Sequence, residues 1–133
     1  MNTRRRTLFT PFRIALVSFG LENLGIEFLA ARMRGCGAAI RVFHDQRLFG
    51  GNGYCLAPRL ERWFDKTAGN VAGIMSWQPH LVGFSVHTIH YRKALAVAAA
   101  LRRRGLAAPI IFGGIHPTTV PERTLRNPEV DYV

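Results

Sequence analysis

The chain has 133 residues, of which 48% are apolar, so it is long enough for one soluble domain with a buried core. Its formal net charge is +10, but the basic runs are confined to residues 4–6 and 102–104. Because no strip of interleaved aromatic and basic residues is present, we do not expect nucleic-acid binding. No apolar run approaches the roughly 18 residues of a membrane span, so we predict no membrane insertion.

Residues 1–11 are predicted to be a disordered basic tail. The run Arg4–Arg6 faintly resembles a twin-arginine export signal, but the stretch after it soon reaches Glu22 and Glu27 without a cleavage site, so we do not expect export. Cys36 and Cys55 form no Cys-x-x-Cys pair, so this chain alone can build neither a zinc site nor an iron–sulfur cluster. Free thiols are typical of a reducing compartment, and we predict a cytoplasmic protein.

The first half of the domain shows two strands and two helices. Residues 13–20 are an almost continuous apolar run ending in glycine, which predicts a strand buried on both faces. A helix follows over residues 23–34, where Leu24, Phe28, Leu29 and Ala31 recur at helical spacing. A strand is predicted over 39–43, a Gly-rich loop over 44–58, and a helix over 58–76, broken near Gly69 and Gly73. Its core candidates are Leu60, Phe64, Val71 and Ile74, and we expect Trp63 and Trp77 to be core or domain-contact residues.

The second half continues the alternation. Strands are predicted over 81–86 and 109–112, with an Ala-rich helix over 91–104 between them that Gly105 ends. A helical turn follows over 121–125, and residues 130–133 begin a fifth strand. This β-α-β order predicts an α/β, flavodoxin-like (Rossmann-like), doubly wound parallel sheet of about five strands.

Ligands of such sheets bind beyond the carboxyl ends of the strands, where the strand order reverses. Glycines and hydroxyls follow three of the predicted strands, and they make a rim suited to a large, amide-bearing cofactor. The rim lacks Gly-x-Gly-x-x-Gly after the first strand and the Gly-Lys-Ser/Thr phosphate loop, which disfavours dinucleotides and nucleoside triphosphates. A phospho-receiver domain would have Asp where Ser85 ends the third strand.

Several phrases in a fixed order carry a family resemblance. They are Glu-Asn-Leu-Gly-Ile-Glu at 22–27, Pro-His-Leu-Val-Gly-Phe-Ser at 79–85, Phe-Gly-Gly-Ile-His-Pro-Thr at 112–118, Val-Pro-Glu at 120–122, and residues 127–133. The stretch from about 13 to 133 resembles the amino-terminal cobalamin-binding domain of cobalamin-dependent radical S-adenosylmethionine proteins. We therefore expect residues 12–133 to be a cobalamin-binding domain.

The resemblance implies a corrin lying across the strand ends with its nucleotide tail beside the sheet. In related methyltransferase and mutase domains, Asp-x-His-x-x-Gly follows the first strand and its His ligates cobalt. Here the same spacing has Gly20, Glu22 and a retained Gly25, which implies base-off cobalamin without a His ligand. Ser85 and Thr88 resemble the hydroxyl pair that holds the tail, and Gly113 with Gly114 resembles the glycine pair that gives it room. The remaining expected cofactor-binding residues are Asn23, Val86, His87 and His116.

Further expectations concern these residues, the other histidines and the Gly-rich loop. Gly114→Val should block the tail while leaving the fold largely intact. His87 and His116 are expected to cap loops or line the rim, with direct cobalt ligation as the weaker alternative, whereas His44, His80 and His90 are predicted to be surface or turn residues. The Gly-rich loop over 44–58 either closes over the corrin or is a disordered insertion.

The resemblance also implies a catalytic half that binds an iron–sulfur cluster and S-adenosylmethionine, and its Cys-x-x-x-Cys-x-x-Cys motif does not occur here. We therefore expect a binding module that lacks its last helix and is not catalytic alone, with an uncovered edge that favours marginal stability or a homodimer. Two alternatives stay open: a truncated radical enzyme subunit complemented in trans by a radical S-adenosylmethionine domain, and a cofactor-free interaction domain.

Overall fold

The core of the molecule is a parallel sheet with helices on its faces. The computed structural model of the chain describes residues 10–20, 23–46, 59, 63 and 65–133. Within these residues the sheet has the strands β1 (Arg13–Phe19), β2 (Ala39–Asp45), β3 (Leu81–Ser85) and β4 (Ile110–Gly113). The helices are α1 (Leu24–Gly35), α2 (Thr67–Trp77), α3 (Tyr91–Arg103), α4 (Ile115–Thr119) and α5 (Pro121–Leu125), and a 3₁₀ turn (Thr88–His90) precedes α3.

The strand order β2-β1-β3-β4, with all neighbours parallel, confirms the predicted flavodoxin-like fold. The chain moves outward from β1 to β2 and then crosses to the other side of β1 to form β3. The order therefore reverses between β1 and β3, and the carboxyl ends of these two strands flank the crevice where doubly wound sheets bind ligands.

The predicted fifth strand is reduced to one parallel bridge between Ile111 and Tyr132 at the β4 edge. A side chain takes over part of the ladder at this position, because the Asp131 carboxylate accepts the backbone N–H of Ile110 at 2.7 Å. The same carboxylate forms an ion pair with Arg102 of α3. The fifth position of the sheet is thus held by backbone and ionic contacts to β4 and α3.

One face of the sheet carries the larger core. Alternate residues of β1, β3 and β4 point to this face and pack against α2 and α3, as the two-residue period of a strand requires. The Phe84 and Phe112 rings lie 4.9 Å apart at its centre. The predicted core positions Val71 and Ile74 are buried in this cluster, together with Val97 and Leu101 of α3. We call this side of β3 and β4 the closed face.

The opposite side of the sheet is only partly covered. A smaller cluster joins Ile14 and Leu16 of β1 to Ile26 and Ala30 of α1, and it extends in β3 no further than Leu81. Beyond it lie two registered pairs, Gly83 with Ile111 and Ser85 with Gly113, none of which is buried. We call the side of β3 and β4 that carries these two pairs the open face.

Helix α1 was identified correctly by its spacing, but the residues that identified it do not face the sheet. Leu24 and Phe28 are 71% and 76% exposed, and Leu29 and Ala31 are exposed as well. The helix instead buries Ile26 and Ala30, four residues apart on one side. The side of α1 that carries the small Ala30 packs on the sheet, and Leu24 and Phe28 lie on the exposed side of the helix.

Two predictions of local structure are corrected. Helix α2 runs without interruption through Gly69 and Gly73, and the non-helical step lies at residues 65–66 instead. Gly73 is retained for packing, since a Cβ there would lie 2.9 Å from Phe43 of β2. Strand β2 continues to Asp45, two residues into the predicted loop, because it pairs with the whole of β1.

Other predictions have mixed outcomes. The turn over 121–125 is confirmed as α5, whereas α4 was not predicted. Trp77 is half-buried against the core, but Trp63 is 83% exposed. Leu60, Phe64, most of the Gly-rich loop and most of the basic tail lie outside the described residues. Among the residues that the structure describes, no helix has the length and apolar character needed to cross a membrane.

Candidate functional site

The loop between β1 and α1 is tied to both neighbouring strands. The Gly20 amide donates to the carbonyl of Asp45 at the end of β2, with N and O 2.8 Å apart. On the other side, the Asn23 Nδ2 donates to the Ser85 Oγ at 2.7 Å, while the Asn23 Oδ1 accepts the amide of Ile26 and caps α1. Two predicted site residues from separate segments, Asn23 and Ser85, are therefore in direct contact at the crevice.

The ends of β3 and β4 are joined by backbone hydrogen bonds. The Val86 amide donates to the Gly113 carbonyl at 2.8 Å, and the His116 amide donates to the Val86 carbonyl at 3.2 Å. Val86 is fully buried in the closed-face core, so its role is to anchor this corner. Ser85 and Gly113 are directly paired and remain accessible on the open face.

Gly113 and Gly114 differ in the space available to an added Cβ. At Gly113 the atom nearest to an added Cβ would be the Phe84 carbonyl oxygen at 3.8 Å, an ordinary contact. At Gly114 a Cβ would lie 2.9 Å from the Val86 carbonyl oxygen, and φ is +101°. The expectation that Gly114→Val would leave the fold intact is therefore wrong, because Gly114 is required by the turn itself.

His116 and Thr88 connect the loops after β3 and β4. The His116 Nδ1 lies 3.2 Å from the Thr88 Oγ1, and the His116 ring lies 4.0 Å from that of Tyr91. The His116 Nε2 is buried and has no hydrogen-bond partner among the described residues. This arrangement matches the expected loop-capping role of His116, whereas His87 is exposed at the rim.

His90 was predicted to be a surface or turn residue; it does lie in the 3₁₀ turn Thr88–His90, but it is buried and not at the surface. Its side chain is only 8% exposed and packs between Phe19, with ring centroids 6.0 Å apart, and the backbone of Gly20. A Cβ at Gly20 would lie 2.7 Å from the His90 Nε2. The signal that could have identified this burial is the position of His90, directly before an amphipathic helix that packs on the sheet.

Sequence reasoning also missed a polar pair beside this crevice. The Ser18 Oγ lies 2.8 Å from the His44 Nδ1, and the two residues are paired across β1 and β2. Ser18 is a buried hydroxyl in an otherwise apolar strand, which is the signal that could have identified it. His44 is half-buried in β2, so its assignment to a surface loop is corrected.

The remaining predicted site residues are less informative. Gly25 is exposed in the first turn of α1, and Glu22 lies outside the described residues. Within residues 10–20, 23–46 and 65–133, no group of three or more His, Cys, Asp or Glu side chains is placed to hold a metal ion. The polar groups of the site are thus hydroxyls, amides and single imidazoles, which suit an organic ligand with many hydrogen-bonding groups.

A comparison with protein-family models matches residues 13–133 to the B12 binding domain. The chain belongs to this family. The matched range contains every residue of the crevice, from Gly20 on the first loop to His116 after β4. Among curated proteins, no significant match to this B12-binding domain is found.

Proposed function

We propose that this B12-binding domain holds cobalamin in the crevice between the ends of β1 and β3, with the nucleotide tail along the open face. The observation that supports this most directly is the open face itself. Gly113 at the end of β4 is exposed on this face, and the atom nearest to an added Cβ there would be 3.8 Å away. A flat group can lie against backbone at such a position. At Gly83 the corresponding space is limited by the Leu16 Cδ2, which would lie 3.1 Å from an added Cβ.

The side chains around this surface fit the ligand. The Ser85 hydroxyl and the Asn23 amide meet at the edge of the open face and can hydrogen-bond a ribose or phosphate oxygen. Half-buried Ile111 offers apolar contact to an aromatic base. We expect Thr88, His87 and His116 to contact the amide-bearing rim of the corrin, with His116 or His87 as cobalt ligand being the weaker alternative.

We further propose that cobalamin binds base-off and without a histidine ligand from the first loop. Gly20 and Glu22 stand where the histidine-bearing relatives have Asp and His. The ligating His position is occupied by Glu22, and at Gly20, where those relatives have Asp, a side chain would meet the His90 ring. The absence of both motif residues supports a lower face without a first-loop histidine.

When bound, cobalamin would supply methyl-group transfer or radical chemistry, while the chain binds and orients it. We propose that the chemistry itself depends on a radical S-adenosylmethionine domain with an iron–sulfur cluster, supplied by a partner or by a longer protein. Leu24, Phe28, Ile89 and Ile115 are all exposed, and three of them lie in or next to the loops that form the crevice. We propose that such a partner covers these exposed apolar side chains.

The test is a binding titration with hydroxocobalamin, followed by removal of excess ligand and a visible spectrum. The wild-type protein should retain the corrin with a base-off spectrum. Gly113→Val should weaken binding at least about tenfold, equivalent to about 1.4 kcal/mol, because the new side chain occupies the open face. Gly69→Val is the matched control, since Gly69 is an exposed glycine of α2 with no atom within 4 Å of an added Cβ.

The outcomes separate the alternatives. Loss of affinity in Gly113→Val but not in Gly69→Val supports the tail position. Equal cobalamin affinity in both variants would show that the tail does not bind along the open face. A wild-type protein that stays colourless would instead favour the cofactor-free interaction domain.

A further inference from the structure

His116 uses one ring nitrogen to join two loops and leaves the other nitrogen without a partner. Its Nδ1 lies 3.2 Å from the Oγ1 of Thr88, in the 3₁₀ turn after β3. Its Nε2 is buried and has no hydrogen-bond partner among the residues that the structure describes. The ring packs on Tyr91, with centroids 4.0 Å apart. Because one nitrogen is buried and the other is bonded to Thr88, the imidazole reaches the rim of the site through Thr88.

The unpartnered Nε2 indicates where the imidazole hydrogen lies. In a neutral imidazole one nitrogen carries a hydrogen and the other carries a lone pair. With the hydrogen on Nε2, a buried N–H would have no acceptor, and buried donors without an acceptor are rarer than buried acceptors without a donor. With the hydrogen on Nδ1, the Thr88 Oγ1 accepts it and only a lone pair stays unpaired. The burial of Nε2 therefore favours the Nδ1–H tautomer of His116.

The tautomer in turn decides what the Thr88 hydroxyl can do. A hydroxyl oxygen that accepts a hydrogen bond keeps its own hydrogen for a second partner. Thr88 is exposed, so this hydrogen is accessible at the rim. The hydroxyls of Thr118 and Thr119 differ, because each donates at 2.8 Å to the carbonyl oxygen four residues earlier. Thr88 therefore offers the site a hydroxyl hydrogen that the two threonines of α4 have already used.

We infer that His116 is a positioning residue that makes Thr88 a hydrogen-bond donor toward the ligand. This inference rests on the proposed function for the identity of the ligand, whereas the tautomer is a property of the protein alone. The group that binds Thr88 is then an acceptor, such as the carbonyl oxygen of a corrin side-chain amide. The NH₂ group of the same amide would face a second donor, so the pair selects the carbonyl end.

The first test measures the tautomer in the protein without cobalamin. Long-range ¹H–¹⁵N NMR correlations distinguish the two tautomers, because protonated and unprotonated ring nitrogens differ widely in chemical shift. The spectrum is recorded at about pH 8, above the ordinary pKa of histidine, with the His116 ring assigned through its backbone. We expect the Nδ1–H pattern for His116, and an Nε2–H pattern would overturn the inference.

The second test measures hydroxocobalamin dissociation constants of Thr88 variants, which should fold because Thr88 is exposed. Thr88→Val removes the hydroxyl at nearly constant shape and should weaken binding about fivefold, whereas Thr88→Ser keeps the hydroxyl and should stay within about twofold of wild type. Thr119→Val is the matched control, because its hydroxyl donates within α4, and it should leave the affinity unchanged. Equal affinity in Thr88→Val and wild type would overturn the inference.

A double-mutant cycle tests whether His116 acts through Thr88. His116→Phe keeps a planar ring against Tyr91 but has no Nδ1–H, and it should weaken hydroxocobalamin binding about threefold. In the Thr88→Val background the same change should weaken binding less than about 1.5-fold, because the hydroxyl on which it acts is gone. Equal losses in the two backgrounds would contradict the route through Thr88.

The failure of this inference can be told apart from the failure of the cobalamin proposal. If wild type does not bind hydroxocobalamin, that proposal fails together with the role of Thr88 toward this ligand, while the NMR spectrum still decides the tautomer. If wild type binds but His116 has the Nε2–H tautomer, or Thr88→Val binds as tightly, only the inference about His116 and Thr88 is overturned.

Discussion

The two faces of β3 and β4 are built from alternate residues of the same strands, yet they are packed differently. On the closed face, Phe84 and Phe112 are at most 2% exposed and pack against α3. On the open face, their neighbours Ser85 and Gly113 are small and accessible. One set of residues therefore supplies the energy of folding, while the other leaves the surface that we propose for cobalamin. The following predictions test how sharply this division holds.

The largest effect should come from Phe112→Ala on the closed face. Phe112 is fully buried, and its removal leaves a cavity that should lower the free energy of unfolding by about 3–5 kcal/mol. Ile111→Ala, one residue away on the half-buried opposite side, should cost only about 1 kcal/mol. Urea denaturation of both variants measures the difference, and equal losses would contradict the division between the two faces.

The two glycines at the end of β4 should differ in the stability that is lost when each is replaced by Ala. Gly114→Ala introduces a clash with the Val86 backbone and an unfavourable positive φ, so it should destabilise the fold by about 2–3 kcal/mol. Gly113→Ala meets no close atom and should cost less than about 1 kcal/mol. Thermal unfolding monitored by circular dichroism gives the comparison. A Gly114→Ala protein as stable as Gly113→Ala would show that the turn is not restricted as described.

The smallest effect on stability should come from Asp65→Asn, at the carboxylate that accepts hydrogen bonds from Thr67 of α2 and Lys93 of α3. Partial burial alone would raise the pKa of the Asp65 carboxyl, but hydrogen bonds from Thr67 and Lys93 outweigh it and lower the pKa to about 2. Because the folded-state pKa lies below the ordinary value of 3.8, this stabilisation is complete above pH 3.8 and is lost as the pH falls toward 2.

Asp65→Asn should therefore cost about 0.5–1 kcal/mol at neutral pH, a modest figure because the carboxylate is 39% exposed. The difference between the variant and wild type should shrink as the pH falls from 4 to 2. Urea denaturation across this range is the measurement, and a difference that did not depend on pH would contradict the assigned role of the carboxylate.

Local sequence signals were sufficient for most of the fold. The apolar runs that became β1, β3 and β4 are short, and helix-ending glycines such as Gly37 and Gly105 have the positive φ values that such ends require. The alternation of strands and helices then implied parallel pairing. The same signals failed where packing overrode them, as at Gly73, which resembles a helix breaker but makes room for Phe43.

The sequence indicated where a candidate site would lie, but not the contacts within it. Glycines and hydroxyls after three strands indicated the crevice, because the topology brings strand ends together. The pairing of Asn23 with Ser85, and of His90 with Gly20, joins residues far apart in the chain. No local pattern encodes which of several histidines turns inward.

The sequence by itself determined the parallel α/β architecture and indicated the end of the sheet where such folds place their ligands, since both follow from the order of apolar runs and turn residues. Only the tertiary structure decided that Ser85 and Gly113 stay accessible on one side of β3 and β4, that Gly114 is required by the turn while Gly113 has room for a side chain, and that His90 is buried beside Gly20. These properties depend on distances between segments that are remote in sequence, and such distances are fixed only when the core packs.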